Sequence, residues 1–118
     1  MEQAFTLRSE VRDNCLVLTT SGYINNVGGE AIAAEFQKHF DQGTKFVAVN
    51  LAGSRVVNSI GMSFLIEILE QLQEAGGKLF FTNLDPAVDK MLNIMGLFSL
   101  AGKAADVDEA LKALNQNA

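Results

Sequence analysis

The chain has 118 residues, 48% of them hydrophobic and 19% charged, with a formal net charge of −5 at pH 7. That is the size and make-up of one folded domain, residues 1–118, and it excludes wholesale disorder and a fibrous repeat. It also excludes a phosphate-clamping nucleic-acid surface, because the 9 Lys and Arg are scattered, and no apolar run approaches the roughly 20 residues of a membrane span. Met1 to Thr20 lacks the apolar core of a signal peptide, so a cytoplasmic protein with no membrane partner is expected.

Phe5, Leu7, Ser9 and Val11 alternate with Thr6, Arg8, Glu10 and Arg12, the period of two of a strand with one wet face. Asp13-Asn14 then makes a tight turn, and the apolar run Cys15 to Thr20, ended by Ser21-Gly22, completes an antiparallel hairpin. Cys15, the one cysteine, falls inside that run, where a buried and inert thiol is expected. Together with His39, the one histidine, it is too little to hold a metal, which takes three or four ligands. From Val27 to Phe40 the period becomes helical: Ile32, Ala33, Phe36 and Phe40 share one face, and Gly43 is the stop. Phe46 to Leu51 is rich in β-formers and does not alternate, as in a central strand covered on both faces.

The next helix starts at Asn58-Ser59, and its Ile60, Phe64, Leu65, Ile68, Leu69 and Leu72 make one apolar arc opposite Glu67, Glu70, Gln71 and Glu74. Gly76-Gly77 ends it, and Lys78 to Thr82 follows as a second buried strand, closing a βαβ unit. Asp85 caps and Pro86 opens a short helix with Val88, Met91, Leu92 and Met95 facing inward, closed by Gly96. Leu97 to Leu100 reads as a last short strand. Asp106 and Glu109 then start a terminal helix carrying Val107, Leu111 and Leu114, with Asn115 to Ala118 frayed. The order ββαβαβαβα defines an α/β domain, a mixed sheet with about four helices.

Chemistry is sparse. Gly28-Gly29 and Gly76-Gly77 match no phosphate-cradling motif, and the carboxylates of the long helix lie on its wet face. Neither an enzyme nor a cofactor is expected. Asn58-Ser59 stands apart because the loop from a central strand to a helix N-terminus is where open α/β sheets place functional groups. Spacing alone leaves two readings. The pair caps the helix, stabilising it by about 0.5–2 kcal/mol, or it presents a hydroxyl whose phosphate the helix N–H groups could hold.

The words along the chain carry more. Val47 to Leu51, Asn58-Ser59-Ile60-Gly61-Met62, Phe64 to Leu72, Gly76-Gly77-Lys78-Leu79, Asn83, Val88 to Met95 and Gly96-Leu97-Phe98 follow one another in an order that resembles the STAS domain of bacterial anti-sigma factor antagonists. Gly22-Tyr23-Ile24-Asn25 is similar to that family's Gly-Glu-Leu-Asp. The resemblance implies partner switching. Ser59 is the position phosphorylated by an anti-sigma factor that is also a serine kinase; the unphosphorylated antagonist binds that kinase and frees a sigma factor for transcription, and a serine phosphatase resets it. The implied contact surface is the loop from Ser54 to Asn58, then Ser59, Ile60, Gly61, Met62, Ser63 and Ile66, with Tyr23 and Asn25. The protein itself would be a monomer or weak homodimer. Two residues depart from the pattern: Asn58 stands where the family has aspartate, and Tyr23 where it has glutamate. A kinase that reads the aspartate would pass Ser59 by, which leaves a non-switching scaffold module of a signalling assembly as the alternative.

Overall fold

The computed structural model describes residues 4–116. Two strands, β1 (Thr6–Arg12) and β2 (Cys15–Ser21), lead into α1 (Asn26–Phe40), β3 (Phe46–Gly53), α2 (Ser59–Glu74), β4 (Lys78–Thr82) and α3 (Pro86–Ile94). A 3₁₀ turn (Leu97–Ser99), β5 (Gly102–Ala104) and α4 (Val107–Gln116) complete the chain. The sheet keeps the chain order β1-β2-β3-β4-β5, with β1 antiparallel to β2 and every later pair parallel. The ββαβαβαβα order and the mixed sheet therefore stand as the sequence implies.

Local chemistry explains the hairpin. Asp13 and Asn14 both take positive φ, 52° and 66°, the left-handed pair that lets a two-residue turn follow the right-handed twist of its strands. From Cys15 to Ser21 in β2 and from Phe46 to Leu51 in β3 the side chains are buried or half-buried, and alternation divides the apolar ones between two cores. Leu16, Leu18, Val47, Val49 and Leu51 pack with Ile32 and Phe36 of α1 and with Leu65, Ile68, Leu69 and Leu72 of α2. Cys15, Val17 and Ala48 turn the other way, onto Ala110, Leu111 and Leu114 of α4. One helix thus shields one face of the sheet while α1, α2 and α3 share the other.

Four expectations change. Leu97 to Leu100 is not a strand: Gly96 takes φ 79° and the chain coils, with Ser99 N donating to Gly96 O and Leu100 N to Leu97 O. Leu97 fills the core, and Phe98 stands edge-on to Phe81 at 6.4 Å. The last strand is instead Gly102–Ala104, a sequence of low β-propensity held by β4; a Cβ on Gly102 would lie 2.6 Å from the Phe80 ring. Met91 and Met95 are exposed, since the inward seam of α3 is only as wide as Val88 and Leu92. Ile60 also leaves the apolar arc, lying about 140° around the helix from Leu65 at 100° per residue. Finally, Asn115 and Gln116 belong to α4, with Asn115 Nδ2 donating to Leu111 O; the rest of the expected fraying lies outside the described residues.

Candidate functional site

Because β2 and β3 are parallel, the loops that follow them leave the sheet at the same end. Past the last ladder pair these loops remain zipped together. Gly22 N donates to Gly53 O (2.9 Å), Ile24 N to Val56 O (3.0 Å) and Asn58 N to Ile24 O (3.1 Å), and Ile24 bridges Val57 in parallel. Below the zip the Thr20 and Ser54 hydroxyls meet at 2.7 Å, both out of solvent. Ser54 is therefore a buried brace and not part of an outward surface, because its hydroxyl, out of solvent, finds its partner in Thr20, whose Oγ1 also donates to Asn50 O at 3.4 Å.

Two glycines let the backbones meet. A Cβ on Gly53 would lie 2.7 Å from Thr20 O, and one on Gly61 would lie 2.2 Å from Ile24 O. The first turn of α2 thus rests directly on the carbonyl of Ile24, a seat that only glycine permits. Gly61 is buried for this reason, and Met62 is 2% exposed because it points into the main core; neither side presents atoms to a partner. Ile66 is partly buried against the same core.

What remains outside is a compact set. Asn58, in extended conformation, is the cap: its Oδ1 accepts from Gly61 N at 2.8 Å. Ser59 is the first residue of α2 and exposed, and among the described residues its hydroxyl has no hydrogen-bond partner. Val56 (54% exposed) and Ile60 (51%) flank it, and Ser63 is exposed with its hydroxyl turned back onto Ile60 O at 2.6 Å. Across the zip, Asn25 caps α1 by accepting from Val27 N (3.0 Å) and Gly28 N (3.2 Å), so its role is structural, while Tyr23 is half-buried and Val27 lies open. Two helix N-termini therefore open side by side, each closed by an asparagine oxygen.

The electrostatics are one-sided. The first turn of α2 contains no acidic residue, and Arg55 is the charged residue of the loop 54–58. A negative group at Ser59 would meet the helix dipole and no resident carboxylate. Among the described residues no group of three or more His, Cys, Asp or Glu could hold a metal ion, and no helix is long and apolar enough to cross a membrane.

A family model of the STAS domain matches residues 6–110. The chain belongs to the STAS domain family. Its fold matches that of an anti-sigma factor antagonist from Mycobacterium paratuberculosis with a TM-score of 0.83 at 21% identity, over 95% of each chain. It is similar to the anti-sigma factor antagonist SpoIIAA in its unphosphorylated form, with a TM-score of 0.78 at 22% identity over 96% of this chain and 97% of that one. It is similar also to the Bacillus cell fate determinant SpoIIAA in its phosphorylated form, with a TM-score of 0.70 at 20% identity over 98% and 100%. At such identities the likeness is one of fold.

Within this STAS domain, sequence reading found Asn58 and Ser59 and took in Val56 with the whole loop from Ser54 to Asn58, without separating the outward residues of that loop from the inward ones, and it passed over Val27. A signal was available. Val56-Val57 and Tyr23-Ile24 continue the period of two beyond their strands, so one residue of each pair turns in and its neighbour out.

Proposed function

We propose that this STAS domain is a cytoplasmic anti-sigma factor antagonist that works by partner switching, with Ser59 as its phosphorylation site. The observation that carries this reading is the Ser59 hydroxyl itself, exposed at the first turn of α2 and free because Asn58 already supplies the cap. Val56 and Ile60 give an anti-sigma factor apolar surface to bury around it, and Asn58 and Ser63 add polar contacts.

Phosphorylation would add about −1.5 to −2 charges at Ser59. The N–H groups and dipole of α2 hold that charge in the free protein, so the fold stays as it is. In the complex the same charge is enclosed by a surface built for a hydroxyl, and an uncompensated buried charge weakens binding by about 3–5 kcal/mol, roughly a hundredfold or more. Release is then a local electrostatic event. SpoIIAA, known in both unphosphorylated and phosphorylated forms, is consistent with such a cycle.

Incubation with the cognate anti-sigma kinase and ATP, followed by mass spectrometry, is expected to find phosphate on Ser59 and loss of binding. Ser59→Ala should stay bound in ATP, and Ser59→Asp should bind at least a hundredfold more weakly. Phosphate absent from Ser59, with binding indifferent to ATP, would overturn the switch. One observation favours the scaffold reading: Asn58 caps with a neutral oxygen where the family's aspartate would add charge. Phosphorylation restored by Asn58→Asp alone would identify this chain as a non-switching member.

A further inference from the structure

β1 ends the sheet, bonded to β2 on one side and, among the described residues, to no strand on the other. The two-residue turn makes Arg12 and Cys15 a hydrogen-bonded pair, so the even-numbered residues of β1 direct their backbone groups to β2. Leu7, Ser9 and Val11 consequently direct theirs to the open edge, a row that templates another strand.

The side chains of this edge alternate in sign. Arg8, Glu10 and Arg12 lie on the α4 face, where Arg12 reaches Asp108 at 3.1 Å and Glu10 at a long 3.9 Å, while Arg8 has no ion pair among the described residues. On the opposite face Leu7 joins the main core, but Val11 is 59% exposed. Self-pairing about a two-fold axis must match odd residues with odd ones, and charge together with overlap then selects one register. Centred on Val11, Glu10 faces Arg12 but only residues 10–12 of the strand pair. Centred on Arg8, that residue opposes itself. Centred on Glu10, that residue opposes itself and Arg8 faces Arg12. Centred on Ser9, the seven residues of the strand overlap completely, Arg8 faces Glu10 twice, and Leu7 covers Val11 twice.

We propose that two copies of this chain associate through β1, antiparallel and centred on Ser9, to form one continuous sheet of twice five strands. Strand pairing over about 23 Å is a small interface, so the dimer is weak and concentration-dependent. The two-fold axis also reverses every strand of the second copy. The two Ser59 loops then open at opposite ends of the joint sheet, and each remains free to engage a partner.

Sedimentation of the full chain from about 10 µM to 1 mM in low salt tests this register. The wild type is expected to dimerise, and R8E or E10R alone to weaken association by about tenfold or more, since each creates two like-charged pairs. The double variant R8E/E10R should recover the wild-type constant, because opposite charges again face each other. Both side chains are exposed, so none of these changes enters the core. A wild type that stays monomeric throughout would overturn the proposal, as would a single reversal without effect or a double variant no better than the singles.

Discussion

Gly61→Ala is a sharp test of how the site is built. The added methyl would lie 2.2 Å from Ile24 O, 2.8 Å from its carbonyl carbon and 2.9 Å from its Cγ2, so α2 must retreat by about 1 Å before ordinary contact is restored. That retreat stretches the 3.1 Å bond from Asn58 N to Ile24 O, whose loss removes about 0.5–1.5 kcal/mol. Overpacking against backbone adds about 1–3 kcal/mol, while the better helix propensity of alanine returns at most about 1 kcal/mol. The net loss is about 0.5–4.5 kcal/mol. For 118 residues, an unfolding entropy of about 2.1 cal/mol/K per residue converts this to a fall in Tm of about 2–18 °C. Thermal melts followed by far-UV circular dichroism measure it, with Glu70→Ala on the exposed side of the same helix as the propensity control. A Gly61→Ala protein as stable as the wild type would refute the seating of α2 on Ile24.

Other outcomes follow from the same geometry. Asn58→Ala should lower stability by about 0.5–2 kcal/mol through loss of the Gly61 N cap, whereas Asn58→Asp should keep the cap and add about 0.3–1 kcal/mol from the dipole; chemical denaturation separates the two. The hydrogen bond from Ser9 Oγ to Glu35, helped by His39 and Lys38 and opposed by partial burial, holds the Glu35 carboxyl below its ordinary value. A depressed folded pKa stabilises the protein above the ordinary carboxylate range and is lost as pH falls below about 4. Ser9→Ala should therefore raise the Glu35 titration midpoint seen by NMR and flatten the acid limb of the stability curve. Cys15 is fully buried and its thiol pKa is pushed up by burial, with Asp13 adding to it, so a thiol reagent should react with it only once the chain is unfolded.

The elements were legible because each carries its own period or cap. Alternation in Phe5 to Arg12, the Asp13-Asn14 turn, the helix starts at Asn58-Ser59 and Asp85-Pro86 and the Gly76-Gly77 break are instructions written within a few residues, and they fix where strands and helices start. The STAS words, anchored on those elements, located Ser59. Gly102–Ala104 carries no such instruction and becomes a strand only because β4 offers it an edge.

The sequence by itself determined the order of elements and the place of Asn58-Ser59 at the head of a helix; that Asn58 is the cap and Ser59 the free hydroxyl was decided by the fold. Tertiary structure decided which neighbours of Ser59 reach solvent: it took Ser54, Gly61 and Met62 inward and left Val56 and Ile60 outside. The reason is that periodicity describes one element at a time, whereas exposure at a helix end depends on what another loop lays against it. Here that contact is the carbonyl of Ile24, 37 residues from Gly61 in the chain and in direct contact with it in the fold.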